Sequence, residues 1–136
     1  MRESSGQVAR TPYDMVGGAE VVRTVVNRFY DLMETDPAYA ELRAMHASDL
    51  TPMRNSLVGF LSAWLGGPKD WFEQRPGACM MSMHRAMVIP EATARQWSSA
   101  MTRAVTEQVP DPEIAARMGN ALGSLARGMI NMPARA

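Results

Sequence analysis

Thr51-Pro52-Met53-Arg54-Asn55-Ser56-Leu57-Val58-Gly59-Phe60-Leu61-Ser62-Ala63-Trp64-Leu65-Gly66-Gly67-Pro68 is the stretch that decides the fold. Met53, Leu57, Phe60, Leu61 and Trp64 fall at offsets of 0, 4, 7, 8 and 11, which is one face of a 3.6-residue helix. Thr-Pro opens the run and Gly-Gly-Pro closes it, so both ends carry helix boundary signals. A helix with one wide apolar face must bury it against other elements, and the flanking sequence supplies only helices.

Upstream, Thr11-Pro12 predicts a short helix that ends at Gly17-Gly18, where two residues without a Cβ allow a tight turn. From about residue 19 to 33, Val22, Val25, Val26, Phe29, Tyr30 and Met33 make a second amphipathic helix. Its β-branched residues are mediocre helix formers, so tertiary burial must hold it. Asp36-Pro37 predicts a short helix to about residue 44, followed by Met45-His46 and the loop composition Ala47-Ser48-Asp49. Residues 1–10 are polar and read as a frayed extension preceding one domain over 11–136.

Downstream, Lys69 to Ala78 reads as irregular with one helical turn at Trp71-Phe72. Next comes Met80-Met81-Ser82-Met83-His84-Arg85-Ala86-Met87-Val88-Ile89, apolar on most sides and predicted to be a short helix over about 78–86. Pro90-Glu91 opens a helix to about 108, with Ala94, Trp97, Met101, Ala104 and Val105 inward. Asp111-Pro112-Glu113 opens the last helix, whose stripe is Ile114, Met118, Ala121, Leu122, Leu125 and Met129. Gly119 and Gly123 lie four apart within it and suggest close helix packing. No stretch alternates with period two, so the chain is all-α.

Composition excludes several functions. The chain has 136 residues, 46% of them hydrophobic, enough for one core. Its formal charge is zero, which disfavours nucleic acid as a partner and a helical DNA-binding regulator as the function. Cys79 is the single cysteine, so no internal disulfide forms, as expected in a reducing compartment. Neither a signal-peptide core nor a span of roughly 20 apolar residues occurs, and the chain reads as cytoplasmic with no membrane partner. Thirteen methionines against three phenylalanines suit an irregular, adaptable interior.

Ordinary catalytic motifs are missing: no H-x-x-x-H, C-x-x-C, G-x-S-x-G or phosphate-binding glycine loop occurs. What remains is His84 in an apolar segment. Such a histidine is either a satisfied core residue or a metal ligand. Tyr30 needs a partner for its hydroxyl, a backbone carbonyl or something else. His46 sits at a helix–loop junction, where histidines are often solvated or capping.

The order of these features resembles that of the group II truncated haemoglobins. Gly17-Gly18 and Gly66-Gly67-Pro68 match the family's two glycine motifs, Arg28-Phe29-Tyr30 its helix B tyrosine, and Trp64-Leu65-Gly66-Gly67-Pro68 the end of helix E. Trp97 matches its helix G tryptophan, and His84 stands where its proximal histidine lies, thirteen residues before Trp97. The match runs over about residues 12–131.

This resemblance implies a shortened globin, a two-over-two sandwich of helices B/E against G/H. It implies haem b as cofactor, with His84 on the iron. It places Tyr30, His46, Trp97, Met53 and Leu57 on the distal side, the first three as ligand-binding residues, and Phe60, Met83, Arg85, Ile89 and Met101 elsewhere around the haem. Ferrous iron would bind O2, CO, NO or sulfide, stabilised by N–H and O–H donors from Tyr30, Trp97 and His46. Strong retention suits scavenging, sensing or redox chemistry, with NO-dioxygenase-like or peroxidase-like turnover and a reductase partner, over O2 delivery. A monomer or homodimer is expected. Met83 stands where group II members usually carry an arginine for a haem propionate, which leaves Arg85 or Arg54 for that role. The alternative is a globin-like interaction or sensor module without haem.

Overall fold

A computed structural model of the chain describes residues 10–74 and 89–130. Within them lie α1 (Pro12–Val16), α2 (Gly18–Thr35), a 3-10 turn (Pro37–Tyr39), α3 (Ala40–Ala44), α4 (Thr51–Trp64), α5 (Asp70–Glu73), α6 (Glu91–Gln108) and α7 (Pro112–Gly128). No strand occurs among the described residues. The expected helix over 78–86, with Cys79, Met83, His84 and Arg85, lies outside them.

Local chemistry sets the boundaries. Thr11 accepts from the Asp14 N–H while the Asp14 carboxylate accepts from the Thr11 N–H, a reciprocal capping box on α1. Gly17 turns the chain into α2 at φ 122, and a Cβ there would collide with Val21. Asp111 caps α7 by accepting from Glu113 N–H at 2.9 Å. Thr51 does not cap α4: it is the first helical residue, and Asp49 accepts its N–H at 3.0 Å.

The layers are α2 with α4 against α6 with α7, the two-over-two sandwich. Val22, Val25, Val26 and Phe29 of α2 are completely buried. At roughly 1.5–3 kcal/mol per large apolar side chain, their burial outweighs the weak propensity of a valine-rich helix. On α6, Met101, Ala104 and Val105 are buried as the periodicity requires, and Ala100 joins them. Gly119 and Gly123 face α6: a Cβ on Gly119 would lie 3.7 Å from Thr102 Oγ1, and one on Gly123 3.2 Å from Ser98 Oγ. Ala121, expected in the inward stripe of α7, is exposed, and Ala126 is buried instead. Met53 and Trp64, at the two ends of the α4 stripe, are 39% and 36% exposed.

Candidate functional site

Between the two layers lies an apolar cavity of about 140 Å³. Helix α4 supplies Met53, Ser56, Leu57 and Phe60 to its wall. Spacings of three and four residues bring these onto one face. Helix α6 contributes Thr93, Ala94 and Trp97, and α7 contributes Leu125 and Ala126, with Met129 just beyond it. Trp71 and Ile89 line the cavity too, so the chain leaves the described residues and re-enters them beside it.

One end of the cavity is polar. Tyr30 is only 3% exposed and lines the wall, with Phe29 edge-to-face at 4.8 Å. Burial pushes its phenol up to about 12, against the smaller opposing pull of Arg54. The Tyr30 hydroxyl has no hydrogen-bond partner among the described residues. Trp97 is held edge-to-face against Phe29 at 5.6 Å and is half-buried at the cavity wall. His46 completes the group, its ring 6.1 Å from that of Tyr30 at 78°.

His46 Nδ1 lies 2.8 Å from the Leu42 carbonyl oxygen. A carbonyl only accepts, so Nδ1 carries a proton and donates. Leu42, in turn, donates its N–H to Gln96 Oε1 at 3.0 Å, and Gln96 Nε2 donates to Glu41 Oε1 at 2.8 Å. Thus α3 is tied to α6 one residue before Trp97.

Arg54 is committed elsewhere. It donates to the Asn27 carbonyl and Oδ1 at 3.1 Å, to Asp31 at 3.0 Å and to Glu34 at 3.2 Å, all on α2. Its guanidinium lies 5.6 Å from the Tyr30 ring centre. It pins the first turns of α4 to α2 and has no spare fork for a cavity ligand.

Of the residues expected around the site, the cavity gathers Tyr30, His46, Met53, Leu57, Phe60, Ile89 and Trp97. Met101 is completely buried in the core and is not among the lining residues. Met83, His84 and Arg85 lie outside the described residues. Leu42, Met45, Ser56, Trp71, Thr93, Ala94, Leu125, Ala126 and Met129 were not anticipated at the site. Helical spacing gave Ala94 and Leu125 as inward-facing, but no local signal separates a cavity wall from a core contact.

A family model for bacterial-like globins matches residues 11–131. The chain belongs to the bacterial-like globins, in their group II truncated branch. It is 29% identical to the group 2 truncated hemoglobin YjbI of Bacillus subtilis, over 93% of this chain and 92% of that protein. The cold-adapted truncated hemoglobin of the Antarctic marine bacterium Pseudoalteromonas haloplanktis superposes with a TM-score of 0.86 at 32% identity, covering 90% of this chain and 99% of the other. The group II 2-on-2 hemoglobin of Agrobacterium tumefaciens gives 0.87 at 30%, covering 96% and 99%. As a truncated globin the protein is a haem-binding globin, of a family that takes small diatomic ligands. The globin's cavity is lined mostly by apolar side chains, with the His46 ring beside Tyr30. Among the described residues no helix is long and apolar enough to cross a membrane.

Proposed function

We propose that this globin holds haem b through His84 and retains a small diatomic ligand by hydrogen bonds from Tyr30 and Trp97. One observation carries the reading: Tyr30, a side chain only 3% exposed, lines an apolar cavity, its hydroxyl without a hydrogen-bond partner among the described residues. A polar ligand in the cavity would supply one. Haem supplies an iron that takes such ligands and exchanges electrons.

The chain's residues set the character of the site. With its pKa near 12, Tyr30 stays protonated across the physiological range and acts as a donor. The Trp97 indole is a donor only. Each bond to a ligand oxygen carrying partial negative charge contributes about 1.5–3 kcal/mol, so two donors slow release by a factor of roughly 30 or more. Slow release suits scavenging, sensing or redox turnover, including NO-dioxygenase-like or peroxidase-like chemistry with a reductase partner. Met53, half-exposed at the cavity wall, narrows access with a flexible thioether. Arg85 is a candidate for a propionate.

An absorption spectrum of the purified chain with one equivalent of hemin tests the reading. A Soret band that His84→Ala abolishes or shifts is expected. A chain that ignores hemin would instead support the haem-free interaction or sensor module.

A further inference from the structure

Leu42, Met45 and His46 reach the cavity wall from one side of the α3–α4 loop, and Met53, Ser56 and Leu57 from the other. The loop between, residues 45–50, is irregular, and Ala47, Ser48 and Asp49 within it are exposed. Water can satisfy exposed carbonyls without fixing where they lie; a side chain can do both. Arg43, in the last turn of α3, does so here. Its Nη1 donates to the Ala47 carbonyl at 2.9 Å and its Nη2 to the Ser48 carbonyl at 3.0 Å. Both bonds are charge-assisted and come from the two arms of one planar fork. A tie holds only when its own end is fixed. Gln96 of α6 fixes α3, accepting from the Leu42 N–H at 3.0 Å and donating to Glu41 at 2.8 Å. Glu34 of α2 stands 3.9 Å from Arg43 Nη2 and is shared with Arg54 at 3.2 Å. The Arg43–Glu34 contact is long and both groups are partly exposed, so it balances charge and adds little holding force.

We infer that Arg43 is a positioning residue for the polar end of the cavity: it straps the chain just after His46 and so keeps that ring against Tyr30. The inference rests on the haem reading only for what the cavity takes. Before His46 the chain is held by α3, with the His46 N–H on the Arg43 carbonyl at 3.1 Å and Nδ1 beside the Leu42 carbonyl at 2.8 Å. Those bonds belong to the last turn of a five-residue helix, which frays easily. Arg43 closes the other side of the residue. With both sides held, the His46 ring sits 6.1 Å from the Tyr30 ring at 78°. Without the fork, Met45 and His46 are free to leave the wall and the cavity opens at that end.

Proton NMR of the full chain without added haem reads the placement through the cross-peak between the His46 and Tyr30 ring protons. The Phe29–Trp97 contact, 5.6 Å between ring centres, serves as internal reference. In Arg43→Met the His46–Tyr30 cross-peak should be lost while the Phe29–Trp97 cross-peak stays. Exchange of the His46 amide should rise about tenfold, the worth of one hydrogen bond. Arg43→Lys keeps the charge beside Glu34 but has no planar fork for two carbonyls, so the same cross-peak should weaken. Glu34→Gln leaves the fork in place and should match wild type. With ferrous haem and CO bound, Arg43→Met should broaden or split the CO stretching band. A His46–Tyr30 cross-peak kept in Arg43→Met overturns the inference, and so does loss of both cross-peaks together, the mark of general loosening. Its loss in Glu34→Gln, or an unchanged CO band in Arg43→Met, does the same. Should Arg43→Met not fold, Arg43→Lys decides by the same two cross-peaks. A chain that takes up no hemin sinks the haem reading and leaves the cross-peak measurement standing.

Discussion

Gly59→Ala is the sharpest test of how the cavity wall is built. Gly59 lies on α4, and an added Cβ would sit 2.7 Å from Trp71 Cδ1, 2.8 Å from its Cβ and 2.8 Å from its Cγ. These atoms are the root of the indole side chain, so no change of rotamer relieves the clash. Trp71 would have to move with the backbone of α5. It is wedged there between Phe60 at 6.0 Å and Phe72 at 4.8 Å, and it lines the cavity. Overpacking of this kind costs about 1–3 kcal/mol. The intrinsic gain of alanine over glycine in a helix returns up to about 1 kcal/mol. A net loss of roughly 1–2 kcal/mol is expected, read as a lower urea midpoint at unchanged slope. Gly128→Ala is the control: nothing lies within 4 Å of its added Cβ, and it should raise the midpoint. The displaced indole should also weaken hemin uptake in Gly59→Ala alone. A Gly59→Ala chain as stable as wild type would mean that α4 and α5 are not in contact as described.

Other substitutions probe the polar end and the caps. Tyr30→Phe and Trp97→Phe should each speed O2 dissociation by about tenfold or more, measured by stopped-flow displacement with CO, and unchanged off-rates would remove the ligand-stabilising role. Because the folded Tyr30 phenol titrates near 12 and the unfolded one near 10, the folded state alone keeps its proton between those values. Stability from this group is complete below pH 10 and falls as pH rises through 12, with roughly 2 kcal/mol lost by pH 12. Urea melts at pH 9 and pH 12 should show that extra loss in wild type and not in Tyr30→Phe. Arg54→Met removes the ties to Asn27, Asp31 and Glu34 together with the cation over Tyr30. It should lower the melting temperature and raise the Tyr30 titration midpoint further, followed by ultraviolet absorbance of the phenolate. Thr11→Ala breaks the capping box on α1 and should cost about 1 kcal/mol in chemical denaturation.

Sequence patterning alone determined the helices, because caps, prolines and glycines act over a few residues. Thr11-Pro12, Asp36-Pro37 and Asp111-Pro112 each start an element where expected, and Gly17 turns the chain at a φ that a side chain would oppose. Helical periodicity also put Tyr30 and Trp97 on inward faces. Tertiary structure decided the rest. Trp97 and Met101 are one turn apart on the same face of α6, yet the crossing of α2 leaves one beside the cavity and buries the other in the core. Arg54 reads as a spare cation until α2 brings three partners to it from more than 19 positions away. A period names the face of a helix. Only the neighbouring helices decide whether that face meets protein, solvent or an open space between layers.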